Sequence, residues 1–130
     1  MIRNKILAIF FLFTSFMSLT GFASKGSNCK ILHKGTFEHG NDKFKVRVEI
    51  NGNNHTEYHD GGKYIIRSTI EWISDCEYNM TMTEITIPNF PYKVGDVMNV
   101  KVNGVKGKEI FYTSTVQGKS WEAKLTKIGK

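Results

Sequence analysis

The chain has little of what most catalytic and metal-binding motifs require. Among its 130 residues there are only two cysteines, Cys29 and Cys76, and they form no C-x-x-C pair. This excludes a thioredoxin-like redox motif, and two cysteines alone make a poor zinc site. The G-x-S-x-G nucleophile elbow is also missing. We therefore expect no enzyme activity, no catalytic residue, no metal and no cofactor.

The sequence also lacks a long stretch with helical periodicity and any Pro/Ser-rich linker. Apolar and polar residues instead alternate along short segments. We predict eight strands, at 35–39, 43–50, 55–59, 63–73, 76–87, 97–103, 108–116 and 120–128. Turn signals at 51–54 and at Asn103-Gly104 join neighbouring strands closely. Short strands in this arrangement predict an all-β fold, a small antiparallel up-and-down eight-stranded barrel.

Residues 1–23 have the pattern of a secretory signal peptide. Arg3 and Lys5 precede an apolar run from 6 to 13, and Gly21 and Ala23 are small residues placed for cleavage. The run is too short and too interrupted for a good membrane span, and a retained anchor is the alternative. We expect residues 24–130 to form one β-barrel domain, periplasmic or secreted, with no stable membrane span after processing.

Positive charge is modest and scattered. Without Arg3 and Lys5, the chain keeps 16 of its 18 basic residues against 12 acidic ones, a net charge of about +4. Nucleic-acid binding would require a clustered basic stripe with interleaved aromatic residues. We therefore expect no nucleic-acid partner, while the oligomeric state is left open.

Two cysteines in an exported chain favour a disulfide between Cys29 and Cys76. The alternative is a pair of free buried thiols. The bridge would close a loop of 47 residues, which in the chain-entropy model stabilises the fold by about 4 kcal/mol.

His55, Glu57 and His59 are spaced two apart, so on a strand their side chains share one face. Such a set could supply three ligands to zinc or copper. The simpler interpretation is a polar face turned to solvent, with Thr56 and Tyr58 inward. On that interpretation no metal site is predicted.

The strand alternation places aromatic residues and methionines on inward faces, where they could pack as a core or line a pocket. The inward set comprises Phe44, Tyr64, Trp72, Tyr78, Tyr112 and Trp121, with Met80, Met82 and Met98. Ser68 and Ser114 share these faces and could be the polar groups of an apolar pocket. The predicted ligand-binding residues are Tyr64, Ser68, Trp72, Tyr78, Tyr112 and Ser114.

Two functions remain open. The first is binding of a small, partly apolar ligand inside the barrel. The alternative is an interaction module that binds a protein or an envelope polymer without a small-molecule ligand. This alternative is motivated by the segment 88–93, in which Phe90 and Tyr92 flank Pro91.

The segment Gly35-Thr36-Phe37-Glu38 resembles the first strand of calycins, the class of lipocalins and fatty-acid-binding proteins. More closely, Cys29-Lys30, Arg47, Thr56-Glu57 and the segment 72–78 (WISDCEY) are similar to a family of small exported proteins from Bacteroidetes-type bacteria. Members are often labelled "DNA topoisomerase IV", although 107 residues cannot hold an ATP site, a metal-binding acidic cluster and a DNA-cleaving tyrosine. The resemblance implies export, a lipocalin-like fold and the Cys29–Cys76 pair, and supplies no catalytic residue. Where the family tends to have Gln two positions before the Glu, this chain has His55.

Overall fold

The structure, a computed structural model, describes residues 26–40 and 43–130. The predicted signal peptide, residues 1–23, lies outside the described residues. No helix in the described ranges is long and apolar enough to cross a membrane.

Eight strands in chain order form the fold. They are β1 Lys34–Gly40, β2 Lys45–Asn51, β3 Asn54–His59, β4 Tyr64–Ser74, β5 Glu77–Ile85, β6 Val97–Lys106, β7 Glu109–Val116 and β8 Lys119–Gly129. Each strand pairs antiparallel with the next one along the chain, and β8 pairs with β1. The predicted all-β, up-and-down eight-stranded barrel is therefore confirmed.

The period-two pattern determines which side chains face inward. In β2, Val46, Val48 and Ile50 are buried, whereas Lys45 and Arg47 between them are exposed. Successive side chains of a strand point to opposite faces, and a closed sheet has one inner and one outer face. The same alternation buries the inward residues of β4, β5 and β7.

Two predicted positions, one at a strand start and one at a turn, are wrong. Phe44 was expected inward on β2, but the strand begins at Lys45, and Phe44 is 73% exposed in the preceding connection. Asn103-Gly104 does not turn the chain, because β6 continues to Lys106 and absorbs the glycine in a register shift opposite Phe111. Glycine inside a strand often marks such a bulge. The turn between β6 and β7 occurs at Gly107 instead.

Barrel closure depends on close approach of β1 and β8. Gly35 has a φ of +148°, and a Cβ at this position would lie 2.9 Å from the carbonyl oxygen of Gly129. A larger residue at position 35 would therefore push apart the two strands that close the sheet. The glycine of the Gly35-Thr36-Phe37 segment thus has a physical role at the barrel seam.

One end of the barrel is plugged by a short 3₁₀ helix, Gly26–Leu32, which the sequence pattern did not predict. Leu32 is 1% exposed and belongs to the hydrophobic core. Cys29 forms a disulfide with Cys76, in the turn between β4 and β5, which confirms the predicted pair. The Nζ of Lys127, in β8, donates to the carbonyl oxygens of Ile31 and Lys34. We call this the closed end.

The segment after the helix is tied to the same end. The N–H of Gly52, in the β2–β3 turn, donates to the carbonyl of His33. The His33 ring stacks on Trp72 at 3.8 Å, and its Nε2 lies 2.9 Å from the carbonyl oxygen of Asp75. Trp72 also donates from Nε1 to the carbonyl of Gly52. The segment after the 3₁₀ helix, the β2–β3 and β4–β5 turns and the end of β4 are therefore joined by hydrogen bonds and ring stacking at the closed end.

The disulfide joins residues 47 apart, so its loss should increase the conformational freedom of the unfolded chain. Replacing both cysteines by serine should lower the free energy of unfolding by about 4 kcal/mol. Urea unfolding of the variant and of the parent protein measures this difference. Reducing the parent protein with dithiothreitol serves as the control and should produce a similar loss. A loss below about 1 kcal/mol would contradict a stabilising role for the plug's covalent anchor.

Candidate functional site

The half of the barrel away from the plug is hollow. It contains a cavity of about 230 Å³, lined by residues from all eight strands and from the connection between β5 and β6. Near the closed end, by contrast, the interior is filled by side chains that do not line the cavity, namely Leu32, Phe37, Ile50, Ile70 and Ile110. The interior is thus a packed core near the closed end and a cavity in the opposite half of the barrel.

Most of the cavity wall is apolar. Three methionines, Met80, Met82 and Met98, lie on β5 and β6, and aliphatic side chains from β2, β4, β6 and β8 complete this part of the wall. The aromatic lining residues are Tyr78, Phe90, Tyr92, Tyr112 and Trp121. Flexible methionines and broad aromatic rings suit an apolar ligand, because they can adapt to its shape and contact it over a large area.

A polar cluster interrupts the apolar wall on one side. His55 and Glu57 project from β3, His39 comes from the end of β1, and Ser68 comes from β4. The Oε1 of Glu57 lies 2.8 Å from the Nε2 of His59, the next inward residue of β3. We call these five residues the polar cluster.

The inward direction of this cluster corrects the interpretation of the H-x-E-x-H pattern as a solvent face. His55 is 4% exposed, and the side chains of Glu57 and His59 are 18% and 24% exposed. Tyr58, expected inward, instead contacts Arg47 on the outer face, with the guanidinium 4.5 Å from the ring centroid. The strand register explains the reversal. His55 pairs with the buried Ile50 across β2 and with the buried Ser68 across β4.

Two buried polar atoms in the cluster lack partners. Within the described ranges, neither His55 Nδ1 nor Ser68 Oγ has a hydrogen-bond partner. The two residues are direct cross-strand neighbours, a relation that places Cβ atoms about 5 Å apart. Leaving a buried polar atom unpaired costs about 1–3 kcal/mol, and such an atom in a native structure calls for an explanation. Because both residues line the cavity, a molecule inside it could pair with both atoms.

Burial and mutual charge control ionisation in the cluster. Burial lowers the pKa of His55, and the nearby charge of Glu57 only partly offsets this effect. The pKa of His39 is lowered for the same reason. Burial alone would raise the pKa of Glu57, but the hydrogen bond with His59 and the charges of the surrounding histidines outweigh it and hold that pKa below its ordinary value. The cluster thus favours an ionised carboxylate beside neutral His39 and His55.

Burial raises the pKa of the two tyrosines that line the cavity, whereas it lowers the pKa of His39 and His55. Burial raises the pKa of Tyr112 to about 12, with a further contribution from the negative charge of Glu57. The pKa of Tyr78 is also raised, mainly by burial. Both phenols therefore stay neutral at physiological pH and can act as hydrogen-bonding groups in the cavity wall.

The mouth of the cavity lies at the end opposite the plug, below the β5–β6 connection. Phe90 and Tyr92 in this connection line the cavity and contact each other edge to face, with ring centroids 5.7 Å apart. Trp121, near the start of β8, is 39% exposed and also lines the cavity. The carboxylate of Asp96 accepts a hydrogen bond from the N–H of Lys93, which fixes the last turn of the connection. We call this the open end.

Four of the six predicted ligand-binding residues, Ser68, Tyr78, Tyr112 and Ser114, line the cavity. Tyr64 and Trp72 do not, although they alternate onto the inner face of β4 as expected. Tyr64 is the first residue of β4, and Trp72 lies at the closed end beside His33 and Tyr78. Both side chains are on the inner face of β4, but they lie too close to the ends of the strand to reach the cavity.

The structure adds lining residues that were not assigned to the site from the sequence. The polar ones are His39, His55 and Glu57, and the aromatic ones are Phe90 and Tyr92. Trp121, which the strand alternation placed in the inward set, also lines the cavity. A signal for His55 was present, because a tight turn at Gly52-Asn53 places it opposite the inward Ile50. His39 is brought near Glu57 by the registers of β1 and β3 on the shared neighbour β2, where His39 pairs with Val46 and Glu57 pairs with Val48.

No group of three His, Cys, Asp or Glu side chains in the described part of the chain is arranged to hold a metal ion. His55, Glu57 and His59 share a face, and the hydrogen bond among them joins Glu57 to His59. The absence of a metal site stays a prediction.

No family model, curated protein or solved structure matches this chain in comparisons with known proteins. The candidate site is therefore defined by its own geometry.

Replacing Ser68 by alanine should leave the stability of the ligand-free protein unchanged or raise it by up to about 1 kcal/mol, because it removes a buried hydroxyl that has no partner in the described ranges. The matched control is Ser74→Ala. The Ser74 hydroxyl accepts a hydrogen bond from the N–H of Cys76, so this variant should lose about 0.5–1.5 kcal/mol. Urea unfolding measures both. A clear loss at position 68 would mean that its hydroxyl is satisfied in the folded protein.

Acid should destabilise the fold in two steps. Below the ordinary histidine pKa of 6.5, His55 and His39 bind protons more readily in the unfolded chain than in the folded one, so stability falls as the pH decreases. Glu57 stabilises the fold above its ordinary pKa of 4.5, and this contribution is lost as the pH falls through its lowered folded value. Each group contributes a slope of at most about 1.4 kcal/mol per pH unit.

Chemical unfolding between pH 8 and pH 4 measures this dependence. His55→Gln removes one titrating group and should flatten the profile below about pH 6.5, the ordinary histidine pKa. A profile with the same slope in the variant would show that His55 does not contribute to it.

Proposed function

We propose that this protein is an exported, lipocalin-like barrel that binds one small, mainly apolar ligand in its interior. The observation that carries the proposal is the cavity of about 230 Å³, with its wall of methionines and aromatic rings and its compact polar cluster. Small-molecule sites are typically concave and apolar, with a few polar groups that fix the orientation of the ligand. The open end supplies an entry route beside Phe90, Tyr92 and Trp121.

The size of the cavity limits the ligand. Drug-sized ligands occupy pockets of about 300–1,000 Å³, and a cavity of about 150 Å³ holds benzene. A volume of about 230 Å³ therefore fits a molecule with one ring and a short chain. A fatty acid with a long tail would not be enclosed.

Export is part of the same proposal. The Cys29–Cys76 disulfide supports it, because disulfides persist mainly in oxidising compartments such as the periplasm and the extracellular space. The pattern of residues 1–23 agrees with it. Membership in the exported Bacteroidetes-type family is likewise a proposal, supported by the paired cysteines and the barrel.

The alternative function, a module that binds a protein or an envelope polymer, stays a prediction. Phe90 and Tyr92 are half-buried, and both rings line the cavity mouth. This position favours a role at the entrance of a small-molecule site over a role as an exposed docking surface.

Tryptophan fluorescence tests ligand binding directly. The chain has two tryptophans, of which Trp121 lines the cavity and Trp72 does not. Titration with 2-phenylethanol, a neutral probe with one ring, should change the emission of the parent protein in a saturable manner. A probe of about nine heavy atoms should bind with micromolar to millimolar affinity.

The two single variants identify the reporter. Trp121→Phe should abolish the emission change while calorimetry still detects binding, and Trp72→Phe should preserve the change. Absence of both saturable fluorescence and binding heat at millimolar probe would refute the proposed function.

A further inference from the structure

The polar cluster carries information about the ligand beyond its size. The cavity has an apolar side and one polar side, so an occupant should be amphiphilic, with its polar group against β3 and β4. The charge of the cavity wall, its unpaired polar atoms and the shape of the remaining space determine which polar group fits.

In the described part of the chain, the cavity wall carries a negatively charged group without a lysine or arginine beside it. Glu57 is the single carboxylate among the lining residues in the described ranges, and no lysine or arginine lines the cavity. His59 meets one oxygen of this carboxylate, and no other hydrogen bond to Glu57 is made by the described part of the chain. A bound carboxylate or phosphate would therefore face Glu57 without a lysine or arginine to balance it, which is unfavourable in a buried site.

The unpaired atoms can accept hydrogen bonds from a donor group of the ligand. Ser68 Oγ can accept a hydrogen bond, and so can His55 Nδ1 when the ring carries its proton on Nε2. Both atoms are buried and lack partners within residues 26–40 and 43–130. Together with Glu57 they offer three acceptors on adjacent strands, and a primary ammonium group has three N–H donors.

The rest of the cavity suits the other end of such a molecule. Tyr78, Tyr112 and Trp121 present aromatic rings to the same space, and aromatic rings attract both cations and other rings. The volume admits one ring with a short chain.

We propose that the cavity binds a small aromatic primary amine, held by Glu57, His55 and Ser68 through its ammonium group and by the apolar wall through its ring. This assignment rests on the proposed function, because it names the class of ligand for the same cavity. It requires no metal, no cofactor and no covalent step.

Three probes of similar size test the assignment by calorimetry at pH 7: 2-phenylethylamine, 2-phenylethanol and phenylacetate. The amine is protonated at this pH, since primary amines titrate near pH 10. We expect the amine to bind about tenfold more tightly than the alcohol, or better, and the carboxylate to bind most weakly.

The matched variants are Glu57→Gln and Glu71→Gln. Glutamine in place of Glu57 would keep the shape of the side chain and an oxygen for His59, but would remove the charge, so amine affinity should fall about tenfold while alcohol affinity changes less than about twofold. Glu71 is exposed on β4 and does not line the cavity, so its variant should bind all three probes like the parent. If Glu57→Gln fails to fold by circular dichroism, Ser68→Ala replaces it, with an expected loss of about threefold for the amine.

The outcomes distinguish failure of the amine assignment from failure of the ligand-binding function. If the alcohol binds but the amine has no advantage, or if the carboxylate binds best, the amine assignment is overturned and the ligand-binding function stands. Unchanged amine affinity in Glu57→Gln likewise overturns the assignment. If none of the three probes binds, the proposed function itself fails.

Discussion

Closure of the sheet is the constraint on which the rest of this structure depends. Once β8 pairs with β1, every residue of the eight described strands faces either the interior or the solvent, and none of these strands is left as an edge. Closure requires the two strands to approach closely at Gly35. It also brings together residues that are distant in sequence, such as Phe37 in β1 and Lys127 in β8, which lie opposite each other. Both the packed half and the hollow half of the barrel follow from how this single interior is filled.

The plug explains why the barrel interior is filled at one end and hollow at the other. The 3₁₀ helix places Leu32 in the core at one end, and its disulfide and the Lys127 hydrogen bonds hold it there. At the other end no comparable element of the described chain fills the space, and the β5–β6 connection contributes Phe90 and Tyr92 to the wall instead. The polar cluster lies in this hollow half, where its buried acceptors can meet a guest molecule. The disulfide-anchored plug and the cavity thus lie at opposite ends of one barrel.

Much of the fold follows from local patterns, because alternation and turn residues act over a few positions. The eight strands and the inward faces of Val48, Met80 and Ser114 were predictable in this way. The Cys29–Cys76 pair was predicted differently, from the presence of only two cysteines in a chain with an export pattern. The solvent-facing interpretation of His55 and Glu57 is wrong because the strand register, and not the polarity of the side chains, determines which face they occupy. The turn at Gly52-Asn53 fixes His55 opposite the buried Ile50. The plug and the cavity volume depend on long-range packing, so they could not be derived from strand patterns. The H-x-E-x-H segment is best understood as the polar wall of an otherwise apolar chamber.

If the chamber is a binding site, its buried polar groups should have partners from water or a ligand, and a high-resolution crystal structure would reveal them. We expect an interior space near 230 Å³ at the open end. We also expect ordered density, from water or a retained small molecule, within hydrogen-bond distance of His55 Nδ1 and Ser68 Oγ. An interior filled by Met80, Met82 and Tyr112, with those two atoms bonded to other protein groups, would show that the chamber is not a binding site.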